Sequence, residues 1–103
     1  MADTLGPEPE EIFEKRAKSV YLGEEVDWAL RYADGHKSLP GYARLMFRSR
    51  PSDVKYIAVD VPVAEYPWLN RLRRNEPVQV RGRIAKIGSL SIELKDTSLL
   101  QLV

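Results

Sequence analysis

Arginine and tyrosine side chains alternate with apolar ones along residues 42 to 50, which read YARLMFRSR. Because successive side chains of a β-strand point to opposite faces, the apolar members of this stretch share one face. The opposite face carries Tyr42, Arg44, Met46, Arg48 and Arg50. Guanidinium groups bind planar anions such as phosphate, and flat rings stack on nucleic-acid bases. These residue types are therefore those of a surface that binds phosphates and bases.

Charge is distributed unevenly along the chain, although the net charge is only +1. Residues 1 to 27 contain eight acids and three bases, whereas residues 28 to 103 contain seven acids and thirteen bases, nine of which are arginines. An excess of arginine is compatible with phosphate contacts. It is also compatible with a solvated surface on which long arginine stems cover a small core.

A convergent set of catalytic or metal-binding side chains is not evident. The chain contains no cysteine, which excludes disulfides and thiolate metal sites. The single histidine, His36, has Asp34 and Ser38 close by in one turn-rich segment, which is too local for the oriented base and nucleophile of a hydrolase. We therefore expect a protein that is not an enzyme and needs neither a metal nor another cofactor.

The length and the apolar pattern predict one small domain. A chain of 103 residues is long enough for a single hydrophobic core and too short for two ordinary domains. Its apolar runs are only a few residues long, which predicts neither a membrane-spanning helix nor a signal peptide. We expect a cytoplasmic protein without a membrane partner.

Three segments differ in their hydrophobic period. Residues 1 to 8 have no apolar period and are predicted to be a disordered tail. Residues 9 to 22 place apolar side chains such as Ile12 and Phe13 at helical spacings, with acids early and bases late, which predicts an amphipathic helix. Residues 24 to 103 then show mainly a period of two, which is typical of β-strands.

The β-rich segment predicts five strands with one short helix after the third. Turn-rich residues 34 to 41 interrupt the pattern, and the proline at position 51 begins a second turn. The short helix has Pro67 at its first position and carries Trp68 on its apolar side. The predicted strands cover residues 25 to 33, 42 to 50, 55 to 61, 77 to 85, and a segment that starts at residue 91.

Gly82 lies in the middle of an alternating strand, PVQVRGRIA. It has the same parity as Val78, Val80 and Ile84, so it is predicted to point into the core. A glycine inside a strand marks a bulge, a barrel corner or a close approach of two backbones. We therefore interpret Gly82 as a residue that allows a small barrel to close, with the arginines on either side of it pointing outward.

Several of these features resemble the OB-fold, in particular its anticodon-binding-like branch. The resemblance covers residues 24 to 102 and depends on the strand order, on V-x-V-x-G-x-I in the fourth strand, and on the segments GEEVDW and IELKD. It implies a mainly β protein: a five-stranded Greek-key barrel with a short helix between the third and fourth strands, here preceded by the N-terminal α-helix. Members of this fold bind single-stranded nucleic acid, oligosaccharide or other proteins.

The resemblance also implies where a ligand would bind, because OB-folds usually hold it across strands two and three. By position this gives a nucleic-acid-binding set with single-stranded DNA or RNA as the partner. The alternative is a protein-protein interaction or structural domain, either on its own or as part of a larger protein. The predicted site residues are Arg31, Tyr42, Arg44, Met46, Arg48 and Tyr56, with Arg81 and Arg83 as further outward arginines.

Overall fold

The computed structural model describes residues 7 to 14, 18 to 50 and 53 to 102. The helical elements are short: α1 is Pro9–Glu14, and 3₁₀ turns occur at Lys18–Tyr21, Val63–Glu65 and Pro67–Arg71. Most of the regular structure is strand, which confirms the predicted mainly β class. The strands are β1 Glu25–Lys37, β2 Tyr42–Arg48, β3 Tyr56–Pro62, β4 Pro77–Ile87 and β5 Ser91–Gln101.

The five strands form a closed barrel in the order β1-β2-β3-β5-β4. β1 also pairs with β4, which closes the barrel, and all neighbours are antiparallel except β3 and β5. The predicted five-stranded OB-like barrel is confirmed. The short helix predicted between the third and fourth strands is present as two successive 3₁₀ turns, the second of which begins at Pro67.

The barrel interior is filled by the alternating apolar side chains that the sequence pattern predicted to point inward. Trp28 and Phe47 are the largest fully buried side chains, and buried valines, isoleucines and leucines from all five strands surround them. The indole N–H of Trp28 donates a hydrogen bond of 2.9 Å to the carbonyl oxygen of Pro7. A buried indole needs such a partner. The segment that docks on the barrel thus includes Pro7, two residues earlier than the predicted helix start.

β1 is longer than predicted because it continues through the segment that was expected to be a turn. Its register against β2 shifts between Tyr32 and Asp34, which leaves Ala33 as a bulge. Gly35 leaves room for two neighbouring side chains in this continuation, since a Cβ there would lie 2.7 Å from the hydroxyl of Tyr32 and 2.9 Å from Cδ2 of Leu45. The prediction that residues 34 to 41 interrupt the strand was therefore wrong for residues 34 to 37.

The N-terminal segment forms α1 and a 3₁₀ turn within the predicted helix range of 9 to 22, of which residues 15 to 17 lie outside the described residues. Of the predicted disordered tail, residues 1 to 8, residues 1 to 6 also lie outside the described residues, whereas Pro7 accepts the hydrogen bond from Trp28. Ile12 is fully buried, and Tyr21 is also part of the core. The hydroxyl of Tyr21 donates a hydrogen bond to the carboxylate of Glu11. None of the helices that are described is long and apolar enough to cross a membrane.

Replacing Ile12 with valine is expected to lower the free energy of unfolding by about 1 kcal/mol, because one buried methylene is lost. The matched control is Val20→Ala, since Val20 is 67 % exposed and should change stability by less than about 0.5 kcal/mol. Urea denaturation of both variants measures the difference. Equal midpoints would show that α1 does not stabilise the barrel.

Candidate nucleic-acid interface

The predicted ligand face is formed by outward side chains of β2, β3 and the second half of β1. We call this surface the outer face. The strand register places Asp34 opposite Met46, Arg44 opposite Asp60, and Met46 opposite Ala58. Five of the predicted site residues lie on β2 and β3 here, and Arg31 lies on β1 directly opposite Arg48. The five are Tyr42, Arg44, Met46, Arg48 and Tyr56.

Arg44 is neutralised by two carboxylates. Its guanidinium donates to both oxygens of Asp60, at 3.1 and 2.9 Å, and to Glu93 at 3.1 Å. The hydrogen bond to Asp60 raises the pKa of Arg44, so the group stays charged. Because Glu93 belongs to β5, the interaction links β2 to β5 across β3. Arg44 therefore joins three strands and has little free charge to offer a phosphate.

Arg81 and Arg83 lie on another part of the barrel surface. Arg81 donates to Asp27 at 3.2 and 2.9 Å, and Arg83 contacts Glu25 at 3.5 Å. Both carboxylates belong to the first half of β1, which pairs with β4 and not with β2. The structure therefore does not bring these two arginines together with the residues of the outer face.

Tyr42 and Tyr56 are at opposite ends of the outer face. Tyr42 pairs with Pro62 at the end of β3, whereas Tyr56 begins β3 and borders a recess that Arg48 also lines. Tyr42 and Arg48 are six residues apart on β2, and a strand rises about 3.3 Å per residue, so the two ends are separated by roughly 20 Å. One base cannot contact both rings.

Three arginines, from β1, β2 and the turn before β4, lie close to one another, and we call them the arginine cluster. It comprises Arg31, Arg48 and Arg74. Arg31 is the register partner of Arg48, and Arg74 lines the same recess as Arg48. Within the described parts of the chain, none of the three forms an ion pair. The Nε of Arg48 is buried and has no hydrogen-bond partner among the described residues.

The arginine cluster is unfavourable for the protein alone, because like charges directly opposite each other on paired strands repel. A buried guanidinium nitrogen without a partner adds a desolvation cost. An anion bound between these side chains would reduce the repulsion between Arg31 and Arg48. The arrangement is therefore better suited to binding than to stability.

No family model matches the chain, and no curated protein matches it. Over residues 7 to 14, 18 to 50 and 53 to 102, there is no group of three histidine or acidic side chains that could hold a metal ion. His36 is on β1, paired with Arg44, and not in the predicted loop.

The turn before β4 holds Arg74 in the cluster. Asn75 has a positive φ of 70° and donates its N–H to the carbonyl oxygen of Tyr32 at 2.8 Å, while Arg31 donates to the carbonyl oxygen of Asn75 at 3.0 Å. Asparagine tolerates this backbone conformation better than most residues. The sequence reasoning missed Arg74, although the Asn-Glu-Pro segment that follows it is a signal for a sharp turn.

The recess beside the cluster has a volume of about 160 Å³. Besides Arg48, Arg74 and Tyr56, its lining includes Ala33, Asp34 and Met46. Asp34 reaches this side because the bulge at Ala33 reverses the alternation of β1, and its Oδ1 accepts a hydrogen bond of 2.8 Å from the N–H of Gly35. Sequence reasoning also missed Asp34, since simple alternation gives no sign of the bulge.

Proposed function

We propose that this protein is a non-catalytic OB-fold domain that binds single-stranded nucleic acid through the outer face. The observation that carries the proposal is the arginine cluster, whose members form no ion pair among the described residues. Two of them, Arg48 and Arg74, line a recess together with Tyr56. The anticodon-binding-like branch and a cytoplasmic location stay predictions.

The two parts of a nucleotide require two kinds of contact. Arginine binds phosphate oxygens through paired N–H donors, and three arginines in one place can follow successive phosphates of a backbone. Tyr56 supplies a ring for a base, and Met46 adds apolar contact beside it. Arg44 forms ion pairs with Asp60 and Glu93 and so helps to shape the face.

Single strands fit this surface better than duplexes do. The bases of a duplex are stacked on one another, so a ring on a barrel surface reaches only bases that are unpaired. The arginines also lie on a compact face that can contact one phosphate backbone. The two backbones of a duplex are separated by the width of a groove. We therefore expect weaker binding to a duplex than to either of its strands.

Fluorescence titration with an unstructured single strand of DNA or RNA at several salt concentrations tests the proposal. Affinity should fall as salt rises, because each neutralised phosphate contributes roughly −0.7 to the slope of log K against log salt. A duplex of the same sequence is the control. Failure to bind either single strand more tightly than millimolar at low salt would contradict the proposal.

Tyr56→Ala is expected to weaken single-strand binding by about 1 to 2 kcal/mol while leaving the salt slope unchanged, because a stacking ring is lost and no charge changes. Tyr56→Phe is the matched control, since it keeps the ring and should bind like the unmodified protein. The same titrations measure both variants. A change in slope with Tyr56→Ala would mean that the ring acts through the arginines and not by stacking.

A protein-binding role is the second candidate, and a different observation favours it. Leu39, Tyr42 and Val63 are 68 %, 44 % and 41 % exposed. Backbone hydrogen bonds hold the three residues near one another. The N–H of Tyr42 donates to the carbonyl oxygen of Leu39, and the N–H of Val63 donates to the carbonyl oxygen of Gly41, the residue before Tyr42. Adjacent exposed apolar side chains are typical of protein contacts. This role replaces the first one if the titrations show no binding.

A further inference from the structure

We propose that the recess beside the arginine cluster recognises a single guanine base of the bound strand. This inference rests on the proposed function and adds a base preference to it. It is carried by the position of Asp34, a carboxylate that shares the recess with Arg48 and Arg74 without forming an ion pair with either of them within the described residues.

The size of the recess favours one planar group. Its volume of about 160 Å³ is well below the roughly 300 to 1,000 Å³ of pockets that enclose whole small molecules. Tyr56 and Met46 provide the ring and the apolar surface that a base requires on its flat side. A nucleotide held here would place its base against Tyr56 and Met46 and its phosphate against Arg48 or Arg74, which line the same recess.

The carboxylate determines which base edge fits. An ionised carboxylate can only accept hydrogen bonds, and each of its oxygens can accept more than one. Oδ1 of Asp34 already accepts the N–H of Gly35, which fixes the orientation of the group without using up its capacity. The base that fits best must therefore present hydrogen-bond donors.

Guanine presents two adjacent donors, N1–H and the N2 amino group, on its Watson–Crick edge, and the two oxygens of a carboxylate match them. Cytosine and adenine present one amino group beside a ring nitrogen that only accepts. Uracil and thymine present N3–H between two carbonyl oxygens, which a carboxylate repels. Reading an unstacked base by this edge is how single strands are commonly recognised. The expected order is guanine first, cytosine and adenine next, and uracil or thymine last.

The first test compares short uridine oligonucleotides that differ at one central position, which is G, C, A or U. A single guanine avoids the self-association of guanine runs. We expect the oligonucleotide with G to bind about tenfold more tightly than the one with U, in the range of a good two-bond contact to a base. Equal affinities for all four would overturn the inference and leave the proposed function intact, whereas no binding of any would overturn both.

The second test is Asp34→Asn, which keeps an oxygen to accept from Gly35 and so preserves the local fold. If Asp34 reads guanine, the variant should lose most of the tenfold preference, with the G oligonucleotide weakened and the U oligonucleotide unchanged or slightly tighter. If Asp34 only repels phosphate, all four should tighten by the same factor, which would overturn the inference.

Asp96→Asn is the matched control for the loss of one negative charge. Asp96 is exposed, lies on β5, and has a positive φ of 51° that asparagine also tolerates. The Asp96→Asn variant should leave unchanged the order of affinities for the G, C, A and U oligonucleotides. Loss of the guanine preference in this control as well would show that the preference depends on net charge, and would also overturn the inference.

Discussion

Replacing Gly82 with valine is expected to lower the free energy of unfolding by about 3 kcal/mol, with a melting temperature reduced by roughly 10 to 20 °C. Gly82 is buried on β4, where the register against β5 shifts between Arg81 and Arg83. A Cβ at this position would lie 3.0 Å from the carbonyl oxygen of Lys95 and 3.2 Å from Cβ of Leu94. The two backbones can approach this closely only because position 82 has no side chain.

A graded series separates this effect from a general intolerance of side chains. Gly82→Ala adds only the Cβ and should cost about 1 kcal/mol, since the crowding partner is backbone and cannot rotate away. Gly88→Ala is the control, because its nearest contacts would be at ordinary distances of 3.6 and 3.8 Å, and no loss of stability is expected. Urea denaturation measures all three. An unchanged midpoint for Gly82→Val would contradict the barrel-closure interpretation.

The double variant Arg31→Ala, Arg48→Ala is expected to weaken single-strand binding more than tenfold at low salt and to reduce the magnitude of the salt slope by about 1 to 1.4, because two phosphate contacts are lost. The comparison is Arg81→Ala, Arg83→Ala, which removes the same charge from the β1–β4 side of the barrel. These arginines already have carboxylate partners, so their loss should change the slope by much less.

Salt titrations of both double variants measure the slopes, and circular dichroism confirms that each is folded. Equal losses in the two double variants would mean that binding responds to net charge alone. In that case the arginine cluster would have no special role, and the outer face would not be the binding site.

Alternation alone predicted the inward faces of the strands, because burial on one side of a sheet imposes a period of two. Val78, Val80 and Ile84 were predicted to point inward and are buried, as is Gly82 between them. The five-stranded barrel was implied by the resemblance to the OB-fold, which depends on the strand order and on the pattern around Gly82. Which side chains of a strand point inward depends on the local order of apolar and polar residues, so it can be predicted from the sequence.

The state of each arginine could not be predicted from local sequence. Arg44 is neutralised by Asp60 and Glu93, which become its neighbours only after β3 pairs with both β2 and β5. Arg74 belongs to the cluster only because the turn at Asn75 bonds to β1. Pattern reasoning identifies outward side chains, but which charges remain free depends on contacts between distant parts of the chain.

β1 pairs with β2 near it in sequence and with β4, which begins only at Pro77. The pairing of β1 with β4 closes a loop that contains β2, β3 and the two 3₁₀ turns after β3. Closing a long loop costs conformational entropy, so contacts of this kind form slowly. The recess is lined from β1, β2, β3 and the turn before β4. The recess therefore forms only where these separate segments have come together, so we expect ligand binding to require the folded barrel.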